Sequence, residues 1–154
     1  MENVGLVTYN EAYCWKEPPS QLKRARLAIT ILHELAHQWF GNLVTLKKWN
    51  DLWLNESNAT YFSWIALKKL NPEYKPDNLF YIVNYKSALL YDSFKNTHPI
   101  IPEIKNNETI SELFDEISYS KGACLINYIS SLLGDDLFIK GISEYLQKFK
   151  KDIH

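Results

Sequence analysis

His33 and His37 stand four residues apart with Glu34 between them, in the stretch HELAHQWFGN. On a helix that spacing puts both imidazoles on one face about a turn apart, where they can meet a single ion. Glu34 falls roughly 100° around from His33, close to such an ion but better placed for its water than for coordination. A catalytic zinc takes three protein ligands and keeps one position open, so a third donor is required. Glu56 supplies it, because the 18 residues between His37 and Glu56 are enough for one helix to end, a link to form and a second helix to return alongside. Two imidazoles and a carboxylate match the preference of zinc, one ion per chain. Such a site lowers the pKa of a bound water to about 7, so Glu34 can accept a proton near neutrality while a polarised carbonyl is attacked. The reaction class is hydrolysis of a peptide or ester. The plain alternative, two core histidines beside a buried glutamate, would leave three polar groups desolvated without partners, which is costly. Asp51 and Asn55 are candidates, by proximity alone, to orient the ligands.

The elements that must position these groups are mostly helical. Ser20 caps a helix whose apolar positions Leu22, Leu27, Ile31, Leu32, Leu35, Ala36 and Trp39 recur near the helical period, and Gly41-Asn42 stops it. Both histidines then lie inside that helix. Asn50 caps a second helix that Asn71-Pro72 ends, with Glu56 in its first half. Asp77 opens a third helical pattern to about Ser93, and the loop HPIIPEIKNNET follows. A short helix from about Ile110, a helix up to Gly134 and a last one capped by Asp135 complete the chain. Residues 3–9, NVGLVTY, are rich in β-branched and aromatic types and read as an edge strand. The expected fold class is mainly α (α+β), helical with a short N-terminal β-strand, in one domain over residues 1–154.

Composition narrows the partners. With 17 basic and 18 acidic residues the net charge is −1, which gives no reason to expect nucleic acid or an acidic membrane surface. No apolar run approaches the roughly 20 residues that span a bilayer. Cys14 and Cys124 are far apart and outside any C-x-x-C arrangement, which excludes a cysteine zinc site. Met1 is followed by neither a basic start nor an apolar h-region. Asn55, Asn58 and Asn107 each begin a glycosylation pattern; the first two fall on the metal-bearing helix where a sugar would not fit, and only Asn107 lies in a surface loop. His98 and His154 pair with nothing by spacing and read as solvent-facing or structural.

Four stretches together resemble the aminopeptidase N family of gluzincin metallopeptidases, the group that includes leukotriene A hydrolase. HELAHQWFGNLVT at 33–45 and WNDLWLNE at 49–56 are similar to its zinc signature, with the same gap between them. MENVGLVTY at 1–9 resembles its G-A-M-E-N-W-G-L motif, and ISYSKGA at 117–123 resembles the segment carrying its catalytic tyrosine. The resemblance implies part of a thermolysin-like zincin catalytic domain. It implies that Glu2, within Met1-Glu2-Asn3, binds the free α-amino group of a peptide, with help from Glu56, and that Tyr119 donates a hydrogen bond to the tetrahedral oxyanion. Without it, Tyr119 is one of ten tyrosines.

Val4 stands where the family usually has tryptophan, and Ser57-Asn58-Ala59 where it has G-F-A; these changes touch pocket walls, not ligands. Lys121 and Gly122 read as serving helix geometry and close packing, with Lys121 facing the cleft as the alternative. The family's further domains are not represented, so the chain is expected to be a fragment with low activity when expressed alone. The competing readings are a gluzincin endopeptidase, which Glu2 disfavours, and a truncated homologue that binds peptide or zinc without turnover. The family allows a membrane-anchored or extracellular parent as well as a cytoplasmic one, and oligomeric state is not legible.

Overall fold

A computed structural model describes residues 1–15, 17–104 and 107–150, with side chains from residue 110 onward in the last span. Its helices are α1 (Gln21–Ala36), α2 (Leu52–Leu70), α3 (Pro76–Phe80), α4 (Lys86–Asp92), α5 (Gly122–Leu133) and α6 (Asp135–Phe149). A π-helical segment, Tyr81–Tyr85, joins α3 to α4, and a second, Ile117–Lys121, runs straight into α5. The mainly α expectation holds.

α2 is the axis of the domain. Its buried positions Glu56, Ser57, Asn58, Ala59, Thr60, Tyr61, Ser63 and Trp64 run almost all the way round the helix, as expected of a helix with neighbours on every side. α1 packs on one flank and α5 with its π segment on another. The core gathers Tyr61, Trp64 and Leu67 of α2 with Phe80, Ala123, Ile126 and Phe138. Tyr61 meets Phe138 edge-to-face, with ring centroids 5.7 Å apart, the arrangement that aromatic quadrupoles favour.

The sequence places the helix starts well but mistakes some caps. The Ser20 hydroxyl accepts from the Lys23 N–H, as its cap position requires. Asn50 does not cap α2: its amide instead donates to the Pro102 carbonyl at 2.6 Å. Asp135 is the first residue of α6, and Gly134 precedes it as the cap with φ +79°.

The edge strand expected over residues 3–9 is absent, and no strand occurs among the described residues. A strand needs a neighbour to satisfy its backbone groups, and here the segment folds on itself. Met1 nitrogen and the Thr8 carbonyl lie 3.1 Å apart, and the Thr8 N–H donates to the Met1 carbonyl at 3.1 Å. Gly5 at φ +71° makes the reversal possible. No described helix is long and apolar enough to cross a membrane. His154 and the Asn107 side chain lie outside the described residues.

Candidate metal centre and its surroundings

α1 delivers His33 from its last turn. His37 lies one residue beyond the end of α1, at its cap, with helical dihedrals, and its N–H still bonds the His33 carbonyl. Only His33 is strictly inside the helix, yet the one-turn spacing is preserved. The chain then reverses at Gly41, whose φ of +127° is closed to most L-residues. Gly41 N–H donates to the Val44 carbonyl and Asn42 N–H to the His37 carbonyl, so the reversal is tight. α2 then returns beside α1, and Glu56, about one turn from its start, faces both imidazoles.

The three side chains converge. His33 Nε2 lies 3.0 Å from His37 Nε2, and Glu56 Oε2 lies 3.3 Å from each. Tetrahedral coordination at zinc distances separates ligand atoms by roughly 3.3 Å, so the triangle has the right size for one small divalent ion. Burial alone would raise the Glu56 pKa, but hydrogen bonds and charge from His33 and His37 outweigh it and hold the carboxyl at about 2. His37 Nδ1 donates to the Phe40 carbonyl at 2.9 Å, which leaves Nε2 with its lone pair toward the centre. The Thr60 hydroxyl lies 3.4 Å from His33 Nδ1, one helical turn beyond Glu56 and so on the same face.

These two orienting groups differ from those expected. Neither Asp51 nor Asn55 hydrogen-bonds a histidine among the described contacts. Thr60 was findable from its i+4 relation to Glu56; the Phe40 carbonyl was not, because a backbone group carries no signal in residue type.

Glu34 sits beside the triangle without joining it. Its Oε2 is buried, makes no hydrogen bond, and lies 3.1 Å from the Met1 nitrogen. The Tyr119 ring stacks on His33, with centroids 5.8 Å apart and planes 18° from parallel. Burial, then the charge and hydrogen bonding of Glu56, push the Tyr119 phenol well above the usual tyrosine range. It therefore stays a protonated donor at any physiological pH.

Residues 1–3 are tied to the turn after α1 by two side chains the sequence did not single out. Asn42 Nδ2 donates to the Glu2 carbonyl at 2.7 Å, and Gln38 Nε2 reaches the carbonyls of Glu2 and Asn3 at 3.4 Å. The Glu2 carboxylate is close enough for its charge to raise the pKa of both His37 and Tyr119. Met1 and Asn3 are exposed. A cleft of about 330 Å³ opens beside His33, Glu34 and Tyr119, with Thr30, Asn84, Glu116 and Ser120 among its walls.

The chain is 48% identical over 152 residues to alanine/arginine aminopeptidase of Saccharomyces cerevisiae, covering 97% of this chain and 18% of that protein. It is 46% identical over 149 residues to tricorn protease-interacting factor F2 of Thermoplasma volcanium, covering 96% and 19%. With endoplasmic reticulum aminopeptidase 1 of Rattus norvegicus it shares 42% identity over 151 residues, covering 97% and 16%. The chain thus spans less than a fifth of the length of these relatives. The family described as Peptidase family M1 domain matches residues 1–153, and on that match, across nearly every residue, the chain belongs to peptidase family M1.

Proposed function

We propose that the protein is a zinc-dependent aminopeptidase that hydrolyses the first bond of peptides with a free N-terminus. The observation that carries this reading is the convergence of His33, His37 and Glu56 on one point, with Glu34 beside it. The donor set, two imidazoles, one of them oriented through the Phe40 carbonyl, and one ionised carboxylate, fits zinc. Held by His33, His37 and Glu56, zinc would supply Lewis acidity for the scissile carbonyl and the attacking water. Glu34, whose buried Oε2 makes no hydrogen bond and has the Met1 nitrogen 3.1 Å away, accepts the proton of that water and passes it to the leaving amine. Tyr119 donates its phenolic hydrogen to the oxyanion as the carbon becomes tetrahedral. Glu2 pairs with the substrate ammonium, and this contact fixes cleavage at the amino end.

Zinc loading is expected to weaken on acidification through the histidine range. Burial opposes the charged form of His37, but the hydrogen bond and charge of Glu56, with the Phe40 carbonyl, raise its pKa above 6.5. Protons therefore compete at His37 before Glu56, at about 2, gives up its charge. The apparent Kd should rise by about tenfold per pH unit for each proton displaced. Chelator competition from about pH 8 to about pH 5 measures this, and an onset confined to the carboxylate range would contradict it. In the metal-free chain the depressed Glu56 contributes stability that is complete above 4.5 and is lost as pH falls toward 2. The raised His37 has the opposite sign: its contribution is complete below 6.5 and is lost as pH rises through the folded value.

The test of the function is a comparison of aminoacyl p-nitroanilides with their N-acetylated forms, alongside zinc analysis of the same samples. One zinc per chain and turnover of the free-amino compounds alone are expected. Equal cleavage of the blocked compounds would point to an endopeptidase. Zinc binding with no turnover of either would leave only a binding role.

A further inference from the structure

Tyr119 occupies the π-helical turn Ile117–Lys121, and that turn has its own anchor. Asp115 Oδ1 accepts the N–H groups of both Ile117 and Ser118 at 3.0 Å, satisfying donors that a helix start leaves unpaired. The Asp115 carbonyl accepts the N–H of Tyr119 itself at 2.9 Å. Its second carboxylate oxygen, Oδ2, lies 2.9 Å from His98 Nε2, and His98 Nδ1 lies 2.8 Å from the Pro99 carbonyl. The imidazole thus spans a carboxylate and a backbone carbonyl, and it fixes the carboxylate against the 98–102 loop. Asn50 ties that loop to the start of α2 through Pro102. Hydrogen bonds at both ends of the 98–102 backbone therefore link the turn just before the helix that carries Glu56 to the turn that carries Tyr119, without passing through the metal centre.

We propose that His98 and Asp115 are a positioning pair that sets the angle of the Tyr119 phenol against the metal site; this rests on the oxyanion role given to Tyr119 above. The π turn leaves the α-helical register, so its dihedrals are not fixed by helix propagation alone. Ring stacking on His33 at 5.8 Å sets the distance of the phenol but leaves it free to slide. The Asp115 cap removes that freedom, and His98 holds the cap in one rotamer. Both side chains are about three-quarters buried, 26% and 27% exposed, so the pair is less screened than a surface ion pair.

Two readouts test this. First, His98→Ala and Asp115→Asn should each lower kcat about tenfold, a fraction of what losing an oxyanion donor costs, with KM within about twofold. In a Tyr119→Phe background neither should lower kcat further, because the hydroxyl they orient is gone. Second, 3-fluorotyrosine placed at position 119 of the metal-free protein gives a fluorine resonance that reports the ring environment. His98→Ala should shift or broaden it, and His98→Gln, which keeps a donor toward the carboxylate, should restore part of both signals. An equal kcat loss with and without the Tyr119 hydroxyl overturns the proposal, as does a resonance that His98→Ala leaves unchanged. If Tyr119→Phe has no effect on turnover, the oxyanion role itself fails, and the fluorine signal still decides whether the pair positions the ring.

Discussion

Glu34→Gln should lower kcat toward free-amino substrates about a thousandfold, the middle of the range for a lost general base, and leave one zinc per chain. Glutamine keeps the shape of the side chain and its hydrogen-bonding capacity, but it cannot accept a proton near neutrality. Glu34 is not a member of the His33, His37, Glu56 triangle, so the metal's donors are untouched. KM should change much less than kcat, since the missing interaction is made in the transition state. Steady-state kinetics with metal analysis on the same preparation measure both quantities. Turnover retained to within about tenfold would remove Glu34 from the proton transfer.

The second large effect comes from a residue that touches no substrate. Gly122→Ala would place a Cβ 1.7 Å from Ser57 Oγ and 2.8 Å from Ser57 Cβ. Rotating the hydroxyl relieves the first clash but not the second, because Ser57 Cβ is fixed to α2. α5 and α2 must then separate, and the Ser57 hydroxyl loses its 2.6 Å bond to the Ser118 carbonyl. Overpacking of this kind costs about 3 kcal/mol, which for a domain of this size lowers Tm by roughly 10 °C. The same separation moves Tyr119, three residues before Gly122, away from Glu56, one residue before Ser57. A fall of kcat of about tenfold or more should therefore accompany the lower Tm in whatever protein remains folded. Ser57→Gly in the same chain removes both clashing atoms and should recover most of the Tm. Thermal denaturation of the two variants decides it, and a Gly122→Ala protein with unchanged Tm would show that the helices are not in contact as described.

Much of the centre was legible because its information is local. The four-residue spacing of His33 and His37 fixes their shared face on any helix, and Glu34 follows from the same geometry. The gap to Glu56 specifies only that a return is possible. That α2 comes back on the side where Glu56 meets both imidazoles depends on the reversal at Gly41 and on the packing of α1 against α2. The roles of Glu2 and Tyr119 came from resemblance and not from spacing, since a single glutamate or one tyrosine among ten has no periodicity to read.

What failed at the level of sequence failed for the same physical reason. Residues 3–9 have the composition of a strand, but a strand exists only through hydrogen bonds to a neighbour, and here the backbone groups of Met1 and Thr8 bond each other. Asn50 has the chemistry of a cap and uses its amide on Pro102 instead. His98 pairs with nothing by spacing, yet 17 residues further along Asp115 lies 2.9 Å away. The sequence alone determined roughly where the helices begin, the shared face of His33 and His37 and the chemistry of the donor set, because these follow from dihedral preference and side-chain type. Tertiary structure decided which groups orient His33 and His37, how close α5 approaches α2 and what holds Tyr119, because those contacts join residues whose separation along the chain says nothing about their distance in space.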